Sequence, residues 1–153
     1  MRKLLVPPRV MLVLLILSVT VGLALPVAGP LAWPVRVVGI VLAAAALAIS
    51  ASSAQRFERV GTNILPYLDP DVLVSDGHFR WTRNPMYVGF LGLLTGVAVA
   101  IGSLTAWAGP VLYFLYSQLW IIPFEEDRMQ AQFGPDYDEY RRRVPRWLGP
   151  VRP

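Results

Sequence analysis

Cysteine is missing from the 153 residues, and histidine occurs once, as His78. The first absence removes disulfides, thiolate nucleophiles and Cys-based metal sites. The second excludes a poly-histidine metal site and leaves any Ser-His-Asp triad to be built around His78. Charge is scarce as well: 16% of the residues are Asp, Glu, Lys or Arg, against about 25% in an average soluble domain. With 55% hydrophobic residues the chain is too apolar for an ordinary soluble fold. On a membrane protein a net charge of +4 reflects cytoplasmic loops rather than nucleic-acid binding. No internal repeat or low-complexity linker divides the chain, so a single domain, 1–153, is expected.

What the chain does have is long apolar runs. Runs of about 20 residues cross a bilayer as helices, and four are predicted: Val10–Leu31, Val35–Ser53, Met86–Trp107 and Pro110–Phe124. The last is short, and Ala106 and Trp107 extend its start. The rival reading of the first run is a cleaved signal peptide, with Arg2 and Lys3 as its basic start and Val27-Ala28 before the cut. The length of the run and Pro30 just past that point weigh against it.

Charge placement sets the expected orientation. Of the 14 Lys and Arg, 13 lie before Val10, between Gln55 and Met86, or after Phe124, and Arg36 is the exception. All ten acids share these segments. The positive-inside rule then puts both termini and the Gln55–Pro85 connection in the cytoplasm. Trp33 and Trp107 fall at the opposite interface, where indoles prefer to sit.

The Gln55–Pro85 connection is long for an unstructured loop. Ile64, Leu65, Tyr67, Leu68, Val72, Leu73, Val74, Phe79 and Trp81 make it too apolar for disorder. It is expected to fold back over the helix ends as a cap. Asp76-Gly77 is a turn signal. Pro85 suits a first helical turn, with Asn84 before it as N-cap. A helix N-terminus also attracts a carboxylate or phosphate, and Arg83 adds full charge there. Glu125-Glu126-Asp127 closes the fourth run, where acids oppose the helix dipole and need compensation. From Met86 to Ala106 is 20 residues and from Ala106 to Glu125 is 19. At 1.5 Å per residue both legs measure about 30 Å, so Asn84–Tyr87 and Glu125-Glu126 are expected side by side. Gly89, Gly92 and Gly96 share one helix face, which reads as close helix packing or as room for a ligand near Gly89. Past the fourth run the helix is expected to continue through Gln132. Phe133-Gly134 ends it and Pro135 starts a short helix, with acids in its first turn and Arg141–Arg143 in its last. Those arginines also suit anionic lipid headgroups.

In order and spacing, these pieces resemble the isoprenylcysteine carboxyl methyltransferase and phospholipid methyltransferase superfamily. The resemblance covers about Gly61 to Pro150. It rests on Gly61-Thr62, on Leu73-Val74 with Gly77 and Phe79, and on Arg83-Asn84-Pro85-Met86-Tyr87-Val88-Gly89. It continues through Glu125-Glu126, Phe133-Gly134, Tyr137, Tyr140 and Val144-Pro145-Arg146. It implies an all-α integral membrane protein of about four transmembrane helices, with the cytoplasmic loop and helical tail capping a site formed mainly by 61–150. It further implies S-adenosylmethionine as cofactor, no metal, and a lipophilic or lipidated acceptor in the bilayer. The short length fits a minimal prokaryotic member in the cell membrane. By analogy Leu73, Val74 and Phe79 line the adenosyl site, Asn84, Met86 and Tyr87 contact the cofactor, and Glu125 or Glu126 binds its polar part. Arg83 and Arg146 orient a substrate anion, and with Asn84 they make the expected catalytic set.

One departure matters. The superfamily commonly has histidine where Asn84 stands, and asparagine is no general base near neutral pH. That favours an acceptor needing no deprotonation, such as the carboxylate of an isoprenylcysteine, unless His78 takes the proton. Two other readings stand beside this one. A membrane reductase of similar fold would bind a nicotinamide cofactor, and would need more basic residues for its phosphates. A non-catalytic membrane scaffold would need no cofactor.

Overall fold

The computed structural model describes residues 6–27, 31–61 and 70–151. Within them every regular element is helical. Helix α1 is Pro7–Ala24, α2 is Trp33–Val60 and α3 is Pro85–Ile101. Helix α4 (Ala108–Tyr116) runs through a π-helical stretch, Ser117–Ile121, into α5 (Ile122–Phe133), and α6 (Pro135–Arg143) closes the order. Pro7, Pro34, Pro85 and Pro135 occupy first turns, where their missing N–H groups leave no helical bond unmade.

Two helices, α1 and α2, are long and apolar enough to cross a membrane, and α3 is apolar over 17 residues. Only 22% of the most apolar stretch of α1 and of α2 is buried within the protein. A core helix of a soluble protein would bury most of that surface. Here Leu12, Val13, Ile16, Val38 and Val41 point outward, more than half exposed on average. So large a continuous apolar face is stable in lipid and not in water.

Helix α1 runs Pro7–Ala24 against the expected Val10–Leu31, ending early because Pro26 disfavours a helical Leu25, and boundaries differ from the sequence expectation in three further places. Helix α2 continues past Ser53 to Val60 and stops only where Gly61 turns left-handed, φ +72°. Helix α3 ends at Ile101, short of Trp107, because Gly102 adopts φ +77° and Leu104–Trp107 form a separate 3-10 turn. In the third place, the helix that begins at Ala108 contains a π segment. Pro123 lacks the N–H that would bond to the Leu119 carbonyl, and its ring crowds that carbonyl. A π turn just before it absorbs both faults. The helix then runs to Phe133, Gly134 breaks it at φ +50°, and Pro135 opens α6.

Helix α3 is the centre of the bundle, with α2 along one side and α1 and α4 along the others. Its glycines settle the choice between close packing and ligand space. A Cβ on Gly89 would stand 2.7 Å from the Ala46 carbonyl oxygen, and one on Gly96 would stand 2.5 Å from that of Gly39. The α2 and α3 backbones touch there, which leaves no room for a ligand between these two helices. Leu94, Ala98, Tyr113 and Ile122 are fully enclosed in the interior. Thr62 and the apolar residues Ile64, Leu65, Tyr67 and Leu68 of the expected cap lie outside the described residues, as do Arg2, Lys3, Ala28 and Pro30.

Candidate functional site

Phe57, on the extension of α2, meets the loop after Pro70, the start of α3, the start of α5 and α6 around one cleft. Its volume is about 900 Å³, counting the part open to solvent. The sequence alone pointed to eight residues that line it: Val74, Phe79, Arg83, Asn84, Met86, Tyr87, Glu125 and Glu126. Thus two segments 38 residues apart do meet. The Tyr87 hydroxyl donates to Glu125 Oε1 at 2.6 Å, and Arg83 Nη1 reaches Glu126 Oε1 at 3.0 Å.

The two adjacent glutamates have different surroundings. Glu126 is held by two cations: Arg83, and Arg146, whose Nε donates to Glu126 Oε1 at 3.0 Å while an Nη nitrogen engages Oε2. The fork geometry of a guanidinium suits such a two-point contact. In turn Glu126 raises the pKa of Arg146, mainly through that hydrogen bond. Glu125, just beyond the apolar run that ends at Phe124, has no cation against it among the described residues. Burial is the main force on its carboxyl and lifts the pKa to about 7. The Tyr87 hydrogen bond works against this, and the charge of Glu126 adds to it. One carboxylate is therefore spent on structure, while the other faces the cleft uncompensated.

Asn84 occupies the N-cap position of α3, but its side chain makes no cap bond. Its Nδ2 instead donates to the Arg146 carbonyl at 3.0 Å, beside Thr82 Oγ1, which donates to the same oxygen at 3.0 Å. Arg83 N donates to the Pro145 carbonyl at 2.9 Å. The Pro145-Arg146 backbone is thus pinned across the α3 N-terminus. Trp147 anchors it further, donating from Nε1 to Gln118 Oε1 at 2.7 Å.

Two expected residues stand behind the cleft rather than in its wall. Leu73 packs against Tyr137, Tyr140 and Val144. Arg146 reaches the site only through Glu126. His78 is outside the cleft as well: its Nε2 shares a 3.0 Å hydrogen bond with Ser52 Oγ on the exposed side of α2. Near it Arg56 and Asp76 form an ion pair that, chiefly by hydrogen bonding, lowers the Asp76 pKa. The loop is tied to α2 by these contacts and to α6 by the Tyr140 hydroxyl, which donates to the Phe79 carbonyl at 2.8 Å.

The cleft also includes residues that sequence reasoning did not place there. Phe57 meets Phe79 edge-on at 5.2 Å, and Pro70, Val72, Pro85, Arg128, Met129, Tyr137 and Tyr140 complete the wall. Phe57 had a signal. No Gly or Pro interrupts the chain between Ser53 and Gly61, so the helix had no reason to stop at the end of the apolar run. The i, i+3 spacing of Tyr137 and Tyr140 showed that they share a face, but not which one. For Arg128 and Met129 the π turn decides. One extra residue in a turn rotates all that follows by about 100°.

With this geometry in view, comparison with known proteins is informative. A family model described as phospholipid methyltransferase matches residues 35–136. The chain belongs to the phospholipid methyltransferase family. Among its relatives, the protein-S-isoprenylcysteine O-methyltransferase of Schizosaccharomyces pombe is 36% identical over 76 residues, 48% of this chain and 31% of that protein. Protein-S-isoprenylcysteine O-methyltransferase B of Arabidopsis thaliana is 37% identical over 76 residues, 48% of this chain and 37% of that protein. A probable protein-S-isoprenylcysteine O-methyltransferase of Oryza sativa subsp. japonica is 30% identical over 116 residues, 73% and 60% of the two chains. The chain therefore spans roughly a third to three fifths of these relatives' lengths. No solved structure matches it significantly. The matched region contains the α2–α3 pair, the capping loop, and both Arg83–Tyr87 and Glu125-Glu126. The tail that pins Asn84 and Glu126 lies beyond it.

Proposed function

We propose that the protein is an S-adenosylmethionine-dependent methyltransferase acting on a lipophilic or lipidated acceptor, with carboxyl O-methylation of an isoprenylcysteine-type substrate as its reaction. Four segments cross the bilayer: α1, α2, α3, and α4 with its π turn. Both termini and the cleft face the cytoplasm, as the clustering of Lys and Arg at the cleft end favours.

The observation that carries this reading is the division of labour between Glu126 and Glu125. Glu126 is neutralised by Arg83 and Arg146 and holds the tail closed. Glu125 leaves one carboxylate for a cationic ligand, with apolar walls from Phe57, Val74 and Phe79 beside it for a planar base. These residues fit a ligand that is cationic at one end and aromatic at the other. S-adenosylmethionine, when bound, supplies a methyl group activated by its sulfonium charge.

The chain's own work is binding, orientation and exclusion of water. Tyr87 fixes the Glu125 carboxylate by hydrogen bonding. Asn84 and Thr82 hold the tail so that Tyr137 and Tyr140 close one side of the cleft. Arg83 and Arg146 act through Glu126, and Arg128 adds positive charge to the wall facing an acceptor anion. A carboxylate acceptor arrives already nucleophilic, so the absence of a histidine at Asn84 costs nothing in proton transfer. Orientation of two bound reactants then supplies the main rate gain, on the order of 7–11 kcal/mol.

Calorimetry of the detergent-purified protein with S-adenosylmethionine tests this. Micromolar binding is expected, with Glu125→Gln weakening it roughly 10- to 100-fold, the effect of losing a hydrogen bond to a charged group. A folded sample that does not bind the cofactor would overturn the proposal. Methylation of a farnesylcysteine analogue, followed with labelled methyl groups, tests the acceptor separately.

A further inference from the structure

At the end of the bundle opposite the cleft, α1 and α2 both lean on α3 and leave a groove between them. Its floor is Gly96, Val97 and Ala100 of α3, with Leu23 of α1 on one wall and Ile40 and Ala43 of α2 on the other. The groove encloses about 870 Å³, counting its open side. At its mouth sits Arg36, with Trp33 one turn further out and 71% exposed.

Among the described residues, Arg36 is the one basic residue placed away from the cleft end. Its Nε donates to the Ala100 carbonyl at 2.8 Å, satisfying one of the last free carbonyls of α3. That bond uses one of five guanidinium donors. It holds the group at the groove mouth and leaves its charge unneutralised. Among the described residues no acid lies beside it. The chain has no Asp or Glu before Glu58 and none between Gly77 and Phe124. Glu58 is 22 residues along α2, about 33 Å away at 1.5 Å per residue. Among the described residues nothing supplies its counter-charge. Trp33 marks the depth at which lipid headgroups begin.

We infer that this groove is a binding site for one anionic phospholipid of the leaflet opposite the cleft, its phosphate on Arg36 and an acyl chain along the Gly96–Ala100 floor. The same absence of acids sets the headgroup preference. A zwitterionic lipid would bring an ammonium group to a face with no carboxylate to receive it. The site is independent of methyl transfer.

Native mass spectrometry of the full chain, delipidated in mild detergent and titrated with phosphatidylglycerol or phosphatidylcholine of identical acyl chains, tests the inference. One bound phosphatidylglycerol is expected, about fivefold tighter than phosphatidylcholine, the usual effect of one basic residue at a lipid surface. Arg36→Gln should remove the preference and Arg36→Lys should retain most of it. Val97→Trp, which fills the groove with Arg36 intact, should abolish the adduct of either lipid. Equal affinity of the unaltered protein for both lipids would overturn the inference, as would a preference that survives Arg36→Gln or an adduct that survives Val97→Trp. Displacement of the lipid by millimolar inorganic phosphate would also overturn it, because the site would then bind a free anion and not a seated lipid.

Discussion

Replacing either of the adjacent glutamates by glutamine is the same chemical change one residue apart, yet opposite effects on stability are expected. Glu126 is 12% exposed, Arg83 10% and Arg146 29%. Removing one member of a fully buried ion pair costs about 3–5 kcal/mol, because the partner charge is left uncompensated. Here two cations lose their partner, but Arg146 is in part solvated and the glutamine oxygen still accepts one hydrogen bond. A loss of about 2–3 kcal/mol follows for Glu126→Gln. For a chain of this size that is a fall in Tm of roughly 5–10 °C. Glu125→Gln removes a charge that burial disfavours, and the Tyr87 hydroxyl can donate to the amide oxygen as before. Its Tm at pH 8 should equal or exceed that of the unaltered protein.

The two variants also separate in pH dependence. Between the ordinary carboxylate value of 4.5 and about 7, the folded protein keeps a proton on Glu125 that the unfolded chain has lost. This group's contribution to stability is therefore full below about 4.5, declines as pH rises to about 7, and is lost above it. Glu125→Gln should flatten that decline, and Glu126→Gln should not. Tryptophan fluorescence during heating, at one scan rate in one detergent, reads both effects. Equal destabilisation by the two substitutions, or an unchanged Tm for Glu126→Gln, would refute the division between a structural and an uncompensated carboxylate.

Asn84→Leu removes the bond to the Arg146 carbonyl but leaves that of Thr82, so it should cost about 1 kcal/mol. It should also speed proteolysis of the tail after Arg143, and unchanged proteolysis would show that Asn84 does not hold the tail. Gly96→Ala forces a Cβ to within 2.5 Å of the Gly39 carbonyl oxygen and should lower stability by about 1–3 kcal/mol. In Gly149→Ala the new carbon meets Pro145 at an ordinary 3.5 Å, so this variant is the control that should unfold with the unaltered protein. Tyr140→Phe loses the bond to the Phe79 carbonyl and should cost about 1 kcal/mol of thermal stability, with weaker cofactor binding as the capping loop loosens.

Much of the site was legible in the sequence because it lies at helix ends. The hairpin of α3 and the α4–α5 helix has legs of similar length, and length times rise is enough to bring Tyr87 level with Glu125. Family resemblance pointed to the same residues. The partners of those residues were not legible. Asn84 read as a cap from its place before Pro85, but the Arg146 carbonyl competes for its amide, and that carbonyl arrives from 62 residues away. The superfamily resemblance implied that Arg146 orients a substrate anion, and in the structure its guanidinium pairs with Glu126. Neither pairing has a local signature, since hydrogen bonds between distant segments depend on where the tail crosses the bundle.

By itself the sequence determined that this chain is helical, that it is too apolar for water, and which residues sit at which helix end. Hydropathy, Pro and Gly are local quantities that act within a turn or two. Tertiary structure alone decided which glutamate is neutralised, that Gly89 and Gly96 seat a neighbouring backbone, and that Phe57 and Arg128 reach the cleft. Those outcomes depend on the angle at which one helix meets another. The π turn before Pro123 is one such case, since its rotation of Arg128 and Met129 brings them to the cleft only against helices already packed beside it.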